Sequence, residues 1–166
     1  MSKVFFDTNV LVYASDRDHP DKRNVAHELI QRSSQDVPPC ISTQVVQEFY
    51  VVATRKLQIE PLKAKDIIHS LRHMEIVLID INDINRAIDG NILWQVSFWD
   101  ALIIIAAQKA RCDVLYTEDM NHGQIFDTLK VCNPFLQSAT SEKATDLRPQ
   151  LQEDAKRPLH YPCRNL

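Results

Sequence analysis

The chain has 166 residues and a formal net charge of −3. That length suits one domain with a full core, and the charge excludes a molecule whose overall field draws in nucleic acid. Hydrophobic residues make up 45% and charged residues 25%, the mix of a soluble globular domain, so any nucleic-acid contact rests on a local patch and a basic partner protein is equally compatible.

The first stretch, Val4-Phe5-Phe6-Asp7-Thr8-Asn9-Val10-Leu11-Val12-Tyr13, is a buried strand and what hangs from it, cut by three polar residues. Pro20 opens a helix in which Val25, Ala26, Leu29 and Ile30 recur at helical spacing. Pro38 and Pro39 close the following loop, and Cys40-Ile41 makes a short second strand. Ser42 or Thr43 caps a helix running to about Leu57. Pro61 opens another, with Ile67, Ile68 and Leu71 on one face. Glu75 to Ile79 reads as a strand, and Asn82 or Asp83 as the cap of a helix carrying Ile84, Ala87, Ile88 and Ile92. Ser97 starts a very apolar helix, Ala101 to Ala107 at its centre, which must be buried on most sides. Val114 to Tyr116 and Leu129 to Cys132 are the last strands.

Strands alternating with helices predict a parallel sheet covered on both faces. Beyond Leu136 the periodicity fades, so residues 1–136 are expected as the domain and 137–166 as an extended or disordered tail. The cysteines at 40, 112, 132 and 163 form no CxxC pair and have no His spaced for zinc, so they read as reduced thiols of a cytoplasmic protein. The charged start followed directly by a strand does not read as a signal peptide. The longest apolar run is too short to cross a bilayer.

Four acids carry the functional signal, and each has an ordinary alternative. Asp7 leaves a buried strand, where a carboxylate is costly unless something needs it; it could also cap a helix, although Thr8 and Asn9 would cap equally well. Glu48 lies about 40–60° from the centre of the Val45, Phe49, Val52 stripe, at the border of the core, where a solvated glutamate is also common. Asp100 closes a Ser97-x-x-Asp100 pattern that fits a capping box. Asp119 follows the Val114 strand and could be a plain turn acid, with Glu118 beside it. Two strand exits and one helix start place carboxylates at one edge of one sheet, and the fourth acid is on a helix that begins there. In open α/β sheets ligands bind at that edge. Clustered carboxylates repel unless cations intervene, and oxygen-only ligation points to Mg²⁺ or Mn²⁺ rather than zinc. The expected chemistry is metal-dependent attack on a phosphate ester.

Phe6 to Tyr13, Glu48 in a helix, Ser97-Phe98-Trp99-Asp100-Ala101, Thr117-Glu118-Asp119-Met120 and the closing Asn133-Pro134-Phe135, in that order, resemble the PIN-domain ribonucleases, and among them the VapC-type toxins of bacterial toxin–antitoxin pairs. The resemblance spans about residues 3 to 136. It implies a three-layer α/β/α sandwich with a mostly parallel central sheet, and Mg²⁺- or Mn²⁺-dependent cleavage of RNA. It implies an acidic pocket of Asp7, Glu48, Asp100 and Asp119, with Asp7 and Asp100 foremost as metal ligands and Thr8, Asn9 and Thr117 orienting them. A small antitoxin covering the pocket and a homodimer are implied partners. Arg17, Lys22, Arg23, Arg55 and Lys56 are the cations available to hold RNA, each also readable as part of a solvated helix face.

Other classes fit less well. A haloacid-dehalogenase-type phosphatase needs a second Asp where Asn9 stands, and a receiver domain needs an acidic pair that is missing. The remaining alternatives are a PIN-like RNA-binding or scaffold domain without catalysis, and a metal-dependent DNA or flap nuclease.

Overall fold

The computed structural model describes residues 2–34 and 37–136. Residues 137–166, expected as the tail, lie outside the described residues. A six-stranded sheet in the order β3-β2-β1-β4-β6-β5 forms the middle layer. Its strands are β1 (Val4–Phe6), β2 (Cys40–Ser42), β3 (Glu75–Val77), β4 (Val114–Tyr116), β5 (Ile125–Phe126) and β6 (Leu129–Cys132). All pairings are parallel except β5 with β6. The α1 (Thr8–Ser15) helix packs on both α2 (Pro20–Ser33) and α3 (Thr43–Arg55), α3 packs on α4 (Pro61–Ser70), and α5 (Ile81–Trp94) packs on α6 (Phe98–Lys109). The chain steps outward from β1 to β3, then crosses back to add β4 on the other side of β1. Right-handed crossovers in opposite directions put the two helix groups on opposite faces. The result is a three-layer α/β/α sandwich.

Several sequence expectations are refined or shift. The first strand ends at Phe6, as expected from Asp7 leaving it, and what hangs from it at residues 8–15 is the helix α1, with Asp7 as its N-cap. Val10, Val12 and Tyr13 favour strands, yet burial of the whole run from Thr8 to Tyr13 outweighs that weak preference. The cap of α5 is Asp80, not Asn82 or Asp83; its carboxylate accepts from the N–H groups of Asn82 and Asp83, while the Asp83 carboxylate accepts from the Asp80 N–H at 2.9 Å. That capping box ends β3 at Val77, two residues short of the expected Ile79. Ile88 and Ile92 of α5 also turn outward, at 45% and 71% exposure, so only Ala87 of that stripe is buried. The two-residue β5 was not anticipated.

The helix α6 fulfils its apolar sequence, since every residue from Asp100 to Ala107 is buried. Gly90 is required where Trp94 lies back on α5, because a Cβ there would sit 2.6 Å from the indole ring. Among the described residues no single helix is long and apolar enough to cross a membrane.

Candidate active site

The sheet reverses its direction of growth between β1 and β4, and that reversal opens a crevice at their carboxyl ends. Asp7 leaves β1 there, and its N–H donates to the Tyr116 carbonyl at 3.1 Å, which ties it to the end of β4. Thr117 leaves β4 and is fully buried. The pocket is lined by Asp7, Thr8, Asn9, Gln44, Glu48, Val52, Trp99, Asp100, Ile103 and Asp119. All four acids singled out from the sequence are therefore brought together.

Asp7 is held on both oxygens. The Thr8 N–H donates to Oδ1 at 2.7 Å, and the Thr117 hydroxyl donates to Oδ2 at 2.7 Å. The capping role and the pocket position coexist, because the first turn of α1 faces the crevice. The Asn9 amide nitrogen lies 3.1 Å from Thr117 Oγ1, 3.3 Å from Asp119 Oδ2 and 3.4 Å from Asp7 Oδ2, linking the two strand exits. Thr117 Oγ1 also accepts from the Asp119 N–H at 3.1 Å. Glu48 rises from α3 and accepts from the Thr8 hydroxyl at 2.8 Å and from the Gln44 amide at 2.9 Å. Asp100 accepts from the Ser97 hydroxyl at 2.7 Å, while Ser97 Oγ accepts the Asp100 N–H at 3.1 Å. Ser97 is thus the cap of α6, and the Asp100 carboxylate engages its hydroxyl rather than the backbone N–H that a capping box requires.

Electrostatically the pocket lacks positive charge. Among the described residues, none of its lining residues is Lys, Arg or His. Burial, followed by the Asp119 charge, pushes the Asp7 carboxyl up from 3.8 to about 7; Thr117 and the Thr8 N–H oppose this, and Glu48 adds to it. Two amide oxygens, Asn9 Oδ1 and Gln44 Oε1, are buried there without a hydrogen-bond partner among the described residues. An oxygen-rich wall with raised carboxyl affinity for a proton and orphaned amide oxygens suits a hard divalent cation. The cavity of about 40 Å³ has room for water or a small ion. Among the described residues, no three His, Cys, Asp or Glu side chains already converge as a ready-made metal cage.

Gln44 is a lining residue that the sequence reading missed. Its signal was present, one helical turn before Glu48 on the same face. Glu118, the possible confusion for Asp119, turns away from the pocket. Its carboxylate accepts from the Tyr13 hydroxyl and from Lys22 Nζ, both at 2.6 Å, and the Lys22 ammonium sits 4.3 Å over the Tyr13 ring. Lys22 is therefore committed to the fold and leaves the group of cations expected to hold RNA. Arg17 and Lys56 line a separate groove shared with Asp16, Asp18 and Glu60.

This network pins the turn that carries Asp119. Lys22→Met keeps an apolar stem over Tyr13 but leaves a largely buried carboxylate without its cation. The expected loss is on the order of 1–2 kcal/mol, seen as a melting temperature several degrees lower. An unchanged melting temperature would show that the ion pair adds nothing.

A switch-point α/β domain with four carboxylates at its carboxyl edge defines the class. A family model for the PIN domain matches residues 4–125, and the chain belongs to the PIN-domain family. Solved structures with the same fold include a toxin–antitoxin complex from Klebsiella pneumoniae, 21% identical, with a TM-score of 0.60 over 80% of this chain and 98% of that one. The Mycobacterium tuberculosis VapC20, a sarcin–ricin loop cleaving toxin, is 15% identical, with a TM-score of 0.55 over 70% of this chain and 92% of that one. VapBC2 from Rickettsia felis, bound to a DNA fragment from its promoter, is 19% identical, with a TM-score of 0.57 over 77% and 96%. Comparison with curated protein sequences finds no match.

Proposed function

We propose that the chain is a cytoplasmic, Mg²⁺- or Mn²⁺-dependent endoribonuclease, the toxin of a toxin–antitoxin pair. The observation that carries this reading is the set of four carboxylates gathered in one cation-poor pocket, with Asp7 pushed up to about 7 by burial and its acidic neighbours. The toxin assignment draws on the neighbours, two of which are toxin–antitoxin assemblies and one an RNA-cleaving toxin.

Asp7, Glu48, Asp100 and Asp119 would hold the divalent ion, with Asp7 and Asp100 the principal ligands. Bound there, the ion would supply Lewis acidity toward the phosphoryl oxygens and lower the pKa of water. The chain itself keeps the acids aligned: Thr8 orients Glu48, Thr117 and Asn9 orient Asp7, and Asn9 steadies Asp119. A pocket carboxylate would take the proton from a water attacking the phosphorus in line, while the bridging P–O bond on the opposite side breaks and its ribose oxygen leaves, taking a proton from solvent. No histidine lines the pocket among the described residues, so acid–base work falls to carboxylates. A small antitoxin bearing basic groups would complement the acidic pocket, and a homodimer is part of the same reading.

The test is to incubate the full-length protein with total RNA in Mg²⁺, Mn²⁺ or EDTA and to map new ends. Metal-dependent ends, lost in EDTA, are expected. RNA left intact in both metals would sink the nuclease reading and favour a binding or scaffold role. Cleavage of DNA alone would favour the DNA-nuclease alternative.

A further inference from the structure

Trp99 stands beside Asp100 at the pocket wall and is 37% exposed. An indole partly open at the edge of a polar site offers a large apolar face, with a polar N–H at one end, to a partner. Its position is held from two sides. The Gln44 amide donates to the Trp99 carbonyl at 3.4 Å, and the Phe98 ring packs edge-on against the indole with centroids 5.2 Å apart. With Val52 and Ile103, it gives the otherwise acidic pocket an apolar side.

The charge of the pocket gives that apolar side a use. Four carboxylates repel a phosphate backbone, and no cation lines the pocket among the described residues. A bound divalent ion would offset that repulsion at the phosphate itself, and stacking on an apolar wall would add affinity that the protein's own charges do not supply. Every nucleobase has a π-face, and stacking on an exposed aromatic is the usual source of affinity for an unpaired strand. A base inside a duplex is already stacked on its neighbours and cannot offer that face.

We propose that Trp99 is a nucleobase subsite, stacking an unpaired base next to the phosphodiester that enters the acidic pocket. This rests on reading the pocket as a nuclease site. It makes the substrate single-stranded at the cut and gives Trp99 a role in choosing where the cut falls.

The test uses the full-length Asp7→Asn chain, to which RNA is expected to bind without being consumed, and a short unstructured RNA. The sequence contains two tryptophans, Trp94 and Trp99, so the fluorescence quenched by RNA is assigned by comparing Trp99→Phe. Binding should quench the parent, and an abasic ribose-phosphate chain of the same length should bind at least several-fold more weakly. Trp99→Leu should weaken binding about tenfold, while Trp99→Phe keeps most of the affinity but loses the quench. Equal binding of the abasic and base-containing strands, or parental affinity in Trp99→Leu, would overturn the subsite. In the unmutated chain, base-dependent quenching without cleavage would refute the nuclease and keep the subsite. Cleavage with an unchanged KM in Trp99→Leu would refute the subsite alone.

Discussion

Asp7→Asn is expected to abolish metal-dependent cleavage and, with no divalent ion present, to stabilise the fold above neutral pH. The Asp7 carboxyl is raised to about 7 in the folded chain from an ordinary 3.8. Between those values the folded state holds a proton that the unfolded state has lost. Stability contributed by this group therefore falls as pH rises through the window and levels off above it. At about 1.4 kcal/mol per pH unit, the ceiling is on the order of 4 kcal/mol. Asparagine never ionises, so it escapes the penalty, but its amide would face the Asn9 amide and recover less than the ceiling. Melting curves of both proteins from pH 4 to 8.5 in EDTA should diverge as pH rises. Saturating Mg²⁺ should reverse the order, because the parent gains stability by binding the ion and the variant does not. A parent as insensitive to pH as the variant would refute the electrostatic account, and unaltered cleavage would refute the ligand role.

Asp100→Glu separates the helix cap from the chemistry. Ser97 caps α6 by accepting the Asp100 N–H, a backbone contact that survives the substitution. The longer side chain displaces the carboxylate by about one carbon–carbon bond, roughly 1.5 Å, and misplacement of that size can cost about a hundredfold in rate. The expected outcome is a melting temperature within a degree or two of the parent and a kcat lower by about that factor. Parental kcat would mean that Asp100 serves the helix start alone.

Most of the architecture was legible because burial in a parallel sheet demands apolar runs. Cys40-Ile41, Val114 to Tyr116 and the Ala101 helix could be read directly. The parts left open or misread were those where two local preferences compete. Val10 to Tyr13 favours strand by composition, and only packing between sheet and helices makes it helix α1. Asp80, Asn82 and Asp83 can all cap, and the choice fell to Asp80 because Asp83 can then return its carboxylate to the Asp80 N–H and also meet Lys109 at 2.6 Å.

For the site, the chain order and chemistry of Asp7, Glu48, Asp100 and Asp119 were open in the sequence, since acids at strand exits and helix starts must converge once the sheet is parallel. Their environment was not. That Glu118 faces Tyr13 while its neighbour Asp119 lines the pocket depends on how one turn meets α1 and α2. The burial that raises Asp7, the Thr8 hydroxyl on Glu48 and the Gln44 amide on the Trp99 carbonyl each involve residues tens of positions apart. Sequence determined which oxygen atoms the chain would bring to one edge. The tertiary structure decided which of them would be dry, paired or exposed, because solvation is a property of the packed neighbourhood and not of the residue.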